Sequence, residues 1–282
     1  MARFKQAMGF PLLAMVVFLA ERYGYLGGLS TGGLVCWIDR MTDWDGRLVV
    51  GGIGKELMDA CEAEDGGLVG PPSDLWGSTD TEAVAYWSPR NTAHRGIVTW
   101  APTIDPEILK GISNDKVRAA GARMLLHCWA VGPAMVDGKV GGAIFESKEG
   151  RFAVLADVTI DCTGDGDIFA GAGAPFESDV DGSSIHALMN TSCRFGNVDT
   201  EAYWDFRVKN PDGFNDLMRQ AAEADVHFRC GVMPQHGQSI CMHPKLAGYS
   251  AIKVADLTEA ELRSRDAHRA GLQWWREHMP GW

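Results

Sequence analysis

The residues of this chain whose types and spacing could do chemistry lie in two short stretches. The first is "VVFLAERYGYLGGLSTGG", Val16–Gly33, where an apolar run ends on Glu21 and Arg22 and a glycine-rich loop follows. In dinucleotide-binding folds, an acid at a strand end hydrogen-bonds a ribose, but it normally comes about 20 residues after a G-x-G-x-x-G turn. Only twenty residues precede Glu21, and they contain no such turn. Glu21 therefore reads either as a ribose acid or as an ordinary surface carboxylate. The second stretch is "VTIDCTGDGDIFAGAGA", where a β-branched run stops at Thr163, Gly164, Asp165, Gly166 and Asp167 and a small-residue helix begins. A strand running into a glycine-rich loop at a helix start turns backbone N–H groups toward the strand's carboxyl end, where open α/β sheets bind ligands. Asp165 and Asp167 could equally cap the helix, and the two roles are compatible.

Other candidates are weaker. "GGIGKEL", Gly51–Leu57, lacks the third glycine of a phosphate loop and reads more simply as a glycine-rich helix start. Cys230, His236, Cys241 and His243 form C-x5-H-x4-C-x-H. These residue types suit zinc, but the spacing matches no common structural site, so no metal is expected. His127, His186 and His227 read as packed or surface histidines, with His186 the first to test because it opens a strand shortly after the second stretch. No G-x-S-x-G motif offers a hydrolase nucleophile, and no catalytic residue is assigned.

The elements that must position these residues follow from pattern and bulk composition. A chain of 282 residues is long enough for one large domain or two small ones. Its net charge of −11 argues against binding a phosphate backbone, so no nucleic-acid partner is expected. Seven cysteines, an odd number with no C-x-x-C, point to a reducing compartment and a cytoplasmic location. The rival location rests on "MARFKQAMGFPLLAMVVFLA", a basic start and an apolar run of signal-peptide length. That run is too short for a confident membrane span. Its alternative reading is a buried parallel strand over Met15–Ala20.

Further along, Gly51–Glu64 has helical spacing, whereas Gly66–Pro102 shows no period and reads as a long loop. Asp105 is placed to N-cap a helix with Pro106 at its first position and Gly121 as its stop. A buried strand is expected over Met124–Val131, and a hairpin around "KEG", Lys148–Gly150. Its second arm should lead into a strand over Val158–Cys162. "SSIHALMNTSCRFGNV" reads as one strand. Helices are expected over Asp212–Ala224 and Thr258–Glu277, the latter opened by a capping box of Thr258 and Glu261.

"ERYGYLGGLSTGGLV", "APTIDPEILK", "VTIDCTGDGDIFAGAGAPFE" and the closing "DLTEAELRSRDAH…REHMPGW" resemble the FAD-dependent oxidoreductases of the glutathione-reductase-like two-dinucleotide-domain superfamily. The blocks keep the family's order along nearly the whole chain. The resemblance implies an α/β fold. It comprises a partial FAD-binding Rossmann-like domain with a parallel sheet (1–65 and 103–182), an antiparallel β-meander around Lys148–Gly150, and a helical and β substrate-side region (66–102 and 183–282). It implies FAD as cofactor and a small-molecule substrate, with homo-oligomerisation left open. Glu21, with Arg22 beside it, resembles the ribose acid. Gly27, Gly28, Ser30 and Thr31 resemble the glycine doublet and its following residues near the pyrophosphate or flavin. Val131, at a strand end, sits where the family pairs main chain with adenine. Thr163, Gly164, Asp165 and Asp167 resemble the family's A-T-G-D loop, with Cys162 in place of alanine. The family's first strand, G-x-G-x-x-G turn and C-terminal Gly-Asp motif are not found, which implies truncation at both ends. Loss of that turn would weaken FAD binding, and the alternative function is a non-catalytic remnant or a binding module without flavin. The gap left by the first strand would lower solubility unless Phe4–Ala14 fills it.

Overall fold

Apolar Phe18, Leu19 and Ala20 form β1 (Phe18–Ala20), which leads into the Gly28–Ser30 turn. The computed structural model describes residues 17–177, 188–226 and 230–282. The Phe4–Ala14 segment, His186 and His227 lie outside them. After the turn, a helix spans Ile53–Glu62 and buries Met58 and Cys61. β2 (Leu68–Val69) and a helix over Thr81–Trp87 follow. Then come β3 (Ala93–His94), β4 (Ile97–Val98) and β5 (Thr103–Ile104). A helix over Pro106–Ala119 leads to β6 (Arg123–Leu125), β7 (Trp129–Val136), β8 (Lys139–Ser147) and β9 (Gly150–Leu155). A short helix, Asp167–Gly171, comes next. The remaining strands are β10 (Cys193–Phe195), β11 (Cys230–Val232) and β12 (Ser239–Cys241), and the remaining helices are Thr200–Lys209, Pro211–Glu223 and Val254–His278.

The chain forms two units, Met1–Gly28 with Lys110–Ser178, and Leu29–Leu109 with Asp179–Trp282. In the first, β1 and β6 pair in parallel, Phe18 opposite Arg123 and Ala20 opposite Leu125. β7, β8 and β9 form the expected antiparallel meander. Cys128, Ala143, Phe145 and Ile168 make its core, packed by Ala20, Leu125 and Phe152. The fold is thus mixed α/β, with a small parallel sheet beside antiparallel strands.

The second unit holds the pairs β2–β5 and β3–β4 and the three-stranded sheet β10-β12-β11. Its main core is aromatic: Tyr203, Trp204, Phe214 and Trp275 with Cys230, Cys241 and Met279. Gly66–Pro102 is not a structureless loop. Asp80 caps the Thr81–Trp87 helix through Ala83 N at 2.8 Å, and Trp76 stacks on Trp100 at 4.8 Å. Buried threonines stitch the rest: Thr99 Oγ1 donates to Thr92 O, and Thr42 Oγ1 accepts from Trp100 N. A seven-residue helix is too short to show a 3.6-residue period, and side-chain-to-backbone bonds leave no hydrophobic pattern.

Several other expectations are corrected. Met124–Val131 is not one strand, because His127 with φ 60° breaks it between β6 and β7. Val158–Cys162 forms no strand, and Val158 and Ile160 are 69% and 81% exposed. A β-branched run becomes a strand only where another chain segment completes its ladder. Within "SSIHALMNTSCRFGNV", the described strand is only Cys193–Phe195. The last helix starts at Val254, so Thr258 lies inside it and its Oγ1 donates back to Val254 O at 2.8 Å instead of capping.

The Pro106–Ala119 helix begins as expected. Asp105, 4% exposed, accepts from Glu107 N at 2.8 Å and Ile108 N at 3.1 Å, and its other oxygen lies 3.8 Å from the Arg194 guanidinium. Gly121, at φ 71°, ends it. Asp105→Ala removes the cap and leaves Arg194 without its carboxylate. We expect a loss of about 2 kcal/mol, seen as a fall of roughly 4–8 °C in the thermal midpoint, with Asp105→Asn recovering most of it. An alanine variant that melts with the wild type would contradict this assignment.

Candidate functional site

Glu21 follows directly from the parallel pairing. Its N–H donates to Leu125 O at 2.9 Å, its carbonyl accepts from Cys128 N at 2.9 Å, and Tyr23 O accepts from His127 N at 3.2 Å. The β1–β6 ladder therefore continues past both strands and fixes the direction of the Glu21 side chain at their shared carboxyl end. Glu21 Oε1 accepts from Tyr23 N at 2.9 Å, which orients the carboxylate within its own turn. The Arg22 guanidinium lies over the Trp129 ring at 4.1 Å and over Tyr23 at 5.0 Å. Tyr23 stacks on Tyr25, with Lys110 over the Tyr25 ring at 4.3 Å.

The second stretch is held by a residue that sequence reasoning passed over, Asp161. Its Oδ1 accepts from Thr163 N at 2.9 Å and Thr163 Oγ1 at 2.8 Å. Its Oδ2 accepts from Ile168 N and Phe169 N, both at 3.0 Å. Thr163 Oγ1 in turn accepts from Asp167 N at 2.9 Å. The first amides of the Asp167–Gly171 helix are thus already engaged. They are not turned to a ligand, as the loop pattern suggested, and neither Asp165 nor Asp167 caps the helix. The signal was present as an acid two residues before Thr163, but its partners are up to eight residues away.

Burial pushes the Asp161 carboxyl up, but the bonds from Thr163, Phe169 and Ile168 outweigh it and hold the group below the usual carboxylate range. Asp167 is raised by partial loss of hydration and by the charges of Asp165 and Asp161, with Arg22 pulling the other way. The Arg22 charge thus bears on the acidic loop, and Ala20 of β1 and Ile168 of the helix share one core. The structure brings Glu21, Arg22, Thr163, Gly164, Asp165 and Asp167 into one unit, with Gly27 and Gly28.

The other predicted residues are placed differently. Ser30 and Thr31 belong to the second unit, and Thr31 is 0% exposed, so its side chain offers no surface to a ligand. Val131 does not end a strand. It lies inside β7, at a register shift between Ala130 and Gly132, and is 43% exposed. The second unit has an open cleft of about 640 Å³ lined by Asn197, Asp199, Arg276 and Trp282 among others.

These residues can be compared with what a dinucleotide needs. Gly28 and Gly164 have φ of 51° and 92°, and a Cβ on either would meet nothing within 4 Å, so main chain there is open to close approach. Ionised carboxylates only accept hydrogen bonds, so Glu21, Asp165 and Asp167 suit the hydroxyls of a ribose or ribityl chain. They do not suit a pyrophosphate, and the amides of 167–169 are taken. The site fits the hydroxyl-bearing parts of FAD.

Asp161→Ala should cost about 1–2 kcal/mol at neutral pH by freeing four donors. The folded-state carboxyl is lowered, so its contribution is complete above about pH 4, the unfolded value, and fades as pH falls through the lower folded value. Urea unfolding from pH 7 to pH 3 should show the gap between variant and wild type constant at first and closing below about pH 4. A gap that widened on acidification would overturn the assignment.

No curated protein matches the chain. A family described as FAD dependent oxidoreductase matches it over residues 13–282, nearly the whole length. On that match, with a mixed α/β fold and a strand-end acid suited to a ribose, the chain belongs to the FAD-dependent oxidoreductase family, whose cofactor is FAD.

Proposed function

We propose that this chain moves hydride between a small organic substrate and FAD held at the carboxyl end of β1. The observation that carries the site is the Glu21 carboxylate, oriented by Tyr23 N at the end of the parallel pair. When bound, the flavin supplies the redox chemistry, and the protein binds and orients. Glu21 accepts the adenosine ribose hydroxyls. Gly27 and Gly28 let the main chain come close, and Thr163 holds the loop that presents Gly164, Asp165 and Asp167 to further hydroxyls. Arg22, ordered on Trp129, offsets the acidic field of that loop. Val131, 43% exposed on β7, is assigned to the adenine edge. Ser30 and buried Thr31 act by shaping the turn after the glycine pair.

The first unit is read as the cofactor side and the second as the substrate side, which moves 29–65 and 103–109 from the cofactor side, where the resemblance had put them. Among the described residues, no helix is long and apolar enough to cross a membrane. All seven cysteines are free thiols, which agrees with a reducing, cytoplasmic setting. The acidic net charge supports a small-molecule substrate over nucleic acid.

Titrating the purified chain with FAD tests this reading. The wild type should give a bound-flavin spectrum and a thermal shift. Glu21→Gln should weaken FAD binding by about tenfold to a hundredfold, the worth of a charge-assisted hydrogen bond of roughly 1.5–3 kcal/mol. The same variant should leave the unfolding midpoint without ligand within about 2 °C. Equal affinity in wild type and variant would remove Glu21 from the site. A wild type that binds no FAD would overturn hydride transfer by this chain.

A further inference from the structure

Two thiols and an imidazole converge in the second unit from three separate elements, with a third thiol, Cys230, beside one of them. In the β10-β12-β11 sheet, Cys193 on β10 and Cys230 on β11 both stand opposite Cys241 on central β12. Directly opposed residues of antiparallel strands share a face, so the three cysteines form one row. His268 comes from the Val254–His278 helix. One ligand atom from each of Cys193, Cys241 and His268 lies within 4.8 Å of the others. The Cys230 thiol is hydrogen-bonded to Cys241. Cys241 is 0% exposed, Cys230 2% and His268 8%, and the row borders the aromatic core.

We propose that Cys193, Cys230, Cys241 and His268 form a structural zinc site. In a tetrahedral site with Zn–S of about 2.3 Å and Zn–N of about 2.0 Å, ligand atoms stand roughly 3.5–3.8 Å apart. The Cys193, Cys241 and His268 ligand atoms, within 4.8 Å of one another, reach that geometry by closing in by about 1 Å, and the Cys230 thiol moves in from its place beside Cys241 to complete it. His268 Nε2 is hydrogen-bonded to the carbonyl oxygen of His243, the kind of bond that holds the ring of a metal-binding histidine. The tautomer that donates there leaves Nδ1 with its lone pair. The Cys241 thiol approaches the same carbonyl at 3.9 Å. Without metal, the Cys193 thiol is pushed up by its bond to Cys241 and by burial, and the Cys230 thiol by burial first. Zinc binding replaces the three thiol protons, releasing them to solvent, while His268 contributes a neutral nitrogen. Four protein ligands in a buried setting leave no open position, so the ion would tie the sheet to the helix and not take part in redox chemistry.

The C-x5-H-x4-C-x-H motif shares Cys230 and Cys241 with this set but carries other histidines, and its spacing gave no reason to expect a metal. The actual set is spread from 193 to 268.

The test is metal content of the full chain, purified with reductant from zinc-supplemented medium. Elemental analysis should find one zinc per chain, released by a mercurial thiol reagent. Cobalt(II) exchange into the wild type should give the intense visible bands and thiolate charge-transfer absorption of a tetrahedral site. Cys241→Ser and His268→Ala should lose most of the zinc, whereas Cys162→Ser, an exposed thiol elsewhere, should keep it. Wild-type protein that stays far below stoichiometric zinc after reconstitution, or gives an octahedral cobalt spectrum, would overturn the site. So would iron in place of zinc, or a Cys193–Cys241 disulfide in the reduced preparation. Because wild-type cobalt spectra need no substitution, misfolding of a variant does not blunt the test, and none of these readouts depends on FAD binding.

Discussion

Three residue pairs of parallel main chain, Phe18–Ala20 against Arg123–Leu125, are the constraint on which the chemistry of the first unit rests. Parallel strands end at the same side, so this short ladder sets one edge where two chain segments leave together. Glu21 leaves β1 there still bonded to Leu125 and Cys128, so backbone hydrogen bonds place the residue and the bond from Tyr23 N then orients its carboxylate. The segment leaving β6 turns at His127 and enters the meander with Trp129 beneath Arg22. The meander in turn carries the core face on which Ile168 packs. Strand pairing, aromatic contact and loop position thus form one chain of dependence.

Electrostatics then decides what that edge can hold. Asp161 spends its charge internally, binding four donors of the loop and helix start. That leaves Asp165 and Asp167 as outward acids and removes the amides that would otherwise favour an anion. With Arg22 as the nearby cation, the edge is suited to hydroxyl donors more than to phosphate oxygens. A dinucleotide carries both, and these acids match the hydroxyls of its sugars in chemistry. The second unit uses polar groups for another purpose. Its threonines and Asp105 are buried and satisfied by neighbours, and they order the loops around β2 to β5 by side-chain-to-backbone bonds.

Much of the regular structure was legible because it depends on local rules. Asp105, Pro106 and Gly121 bracket their helix by capping and by φ, and both ends were found where they are predicted. The "KEG" turn and its two arms were equally plain. The failures share a cause. Thr258 has the type of a cap but sits inside a helix that starts four residues earlier, where Asp256 of the first turn accepts from Ser250 N ahead of the helix. Val158 and Ile160 have strand propensity without a strand, since propensity supplies no partner. Val131 was displaced by a break at His127 that no residue pattern announces.

What the sequence by itself determined is the family and the blocks that carry the resemblance: an acid after an apolar run, a glycine pair, and a Thr-Gly-Asp-Gly-Asp loop. Those are short blocks, and chemistry that depends on residue identity at close spacing survives in linear form. Only the tertiary structure decided how each block is used. It engaged the loop amides with Asp161, placed Arg22 over Trp129 and buried Thr31. It also gathered Cys193, Cys241 and His268 around one point. Each of these rests on contact between segments far apart along the chain, and strand register or helix packing, not spacing in sequence, sets such distances.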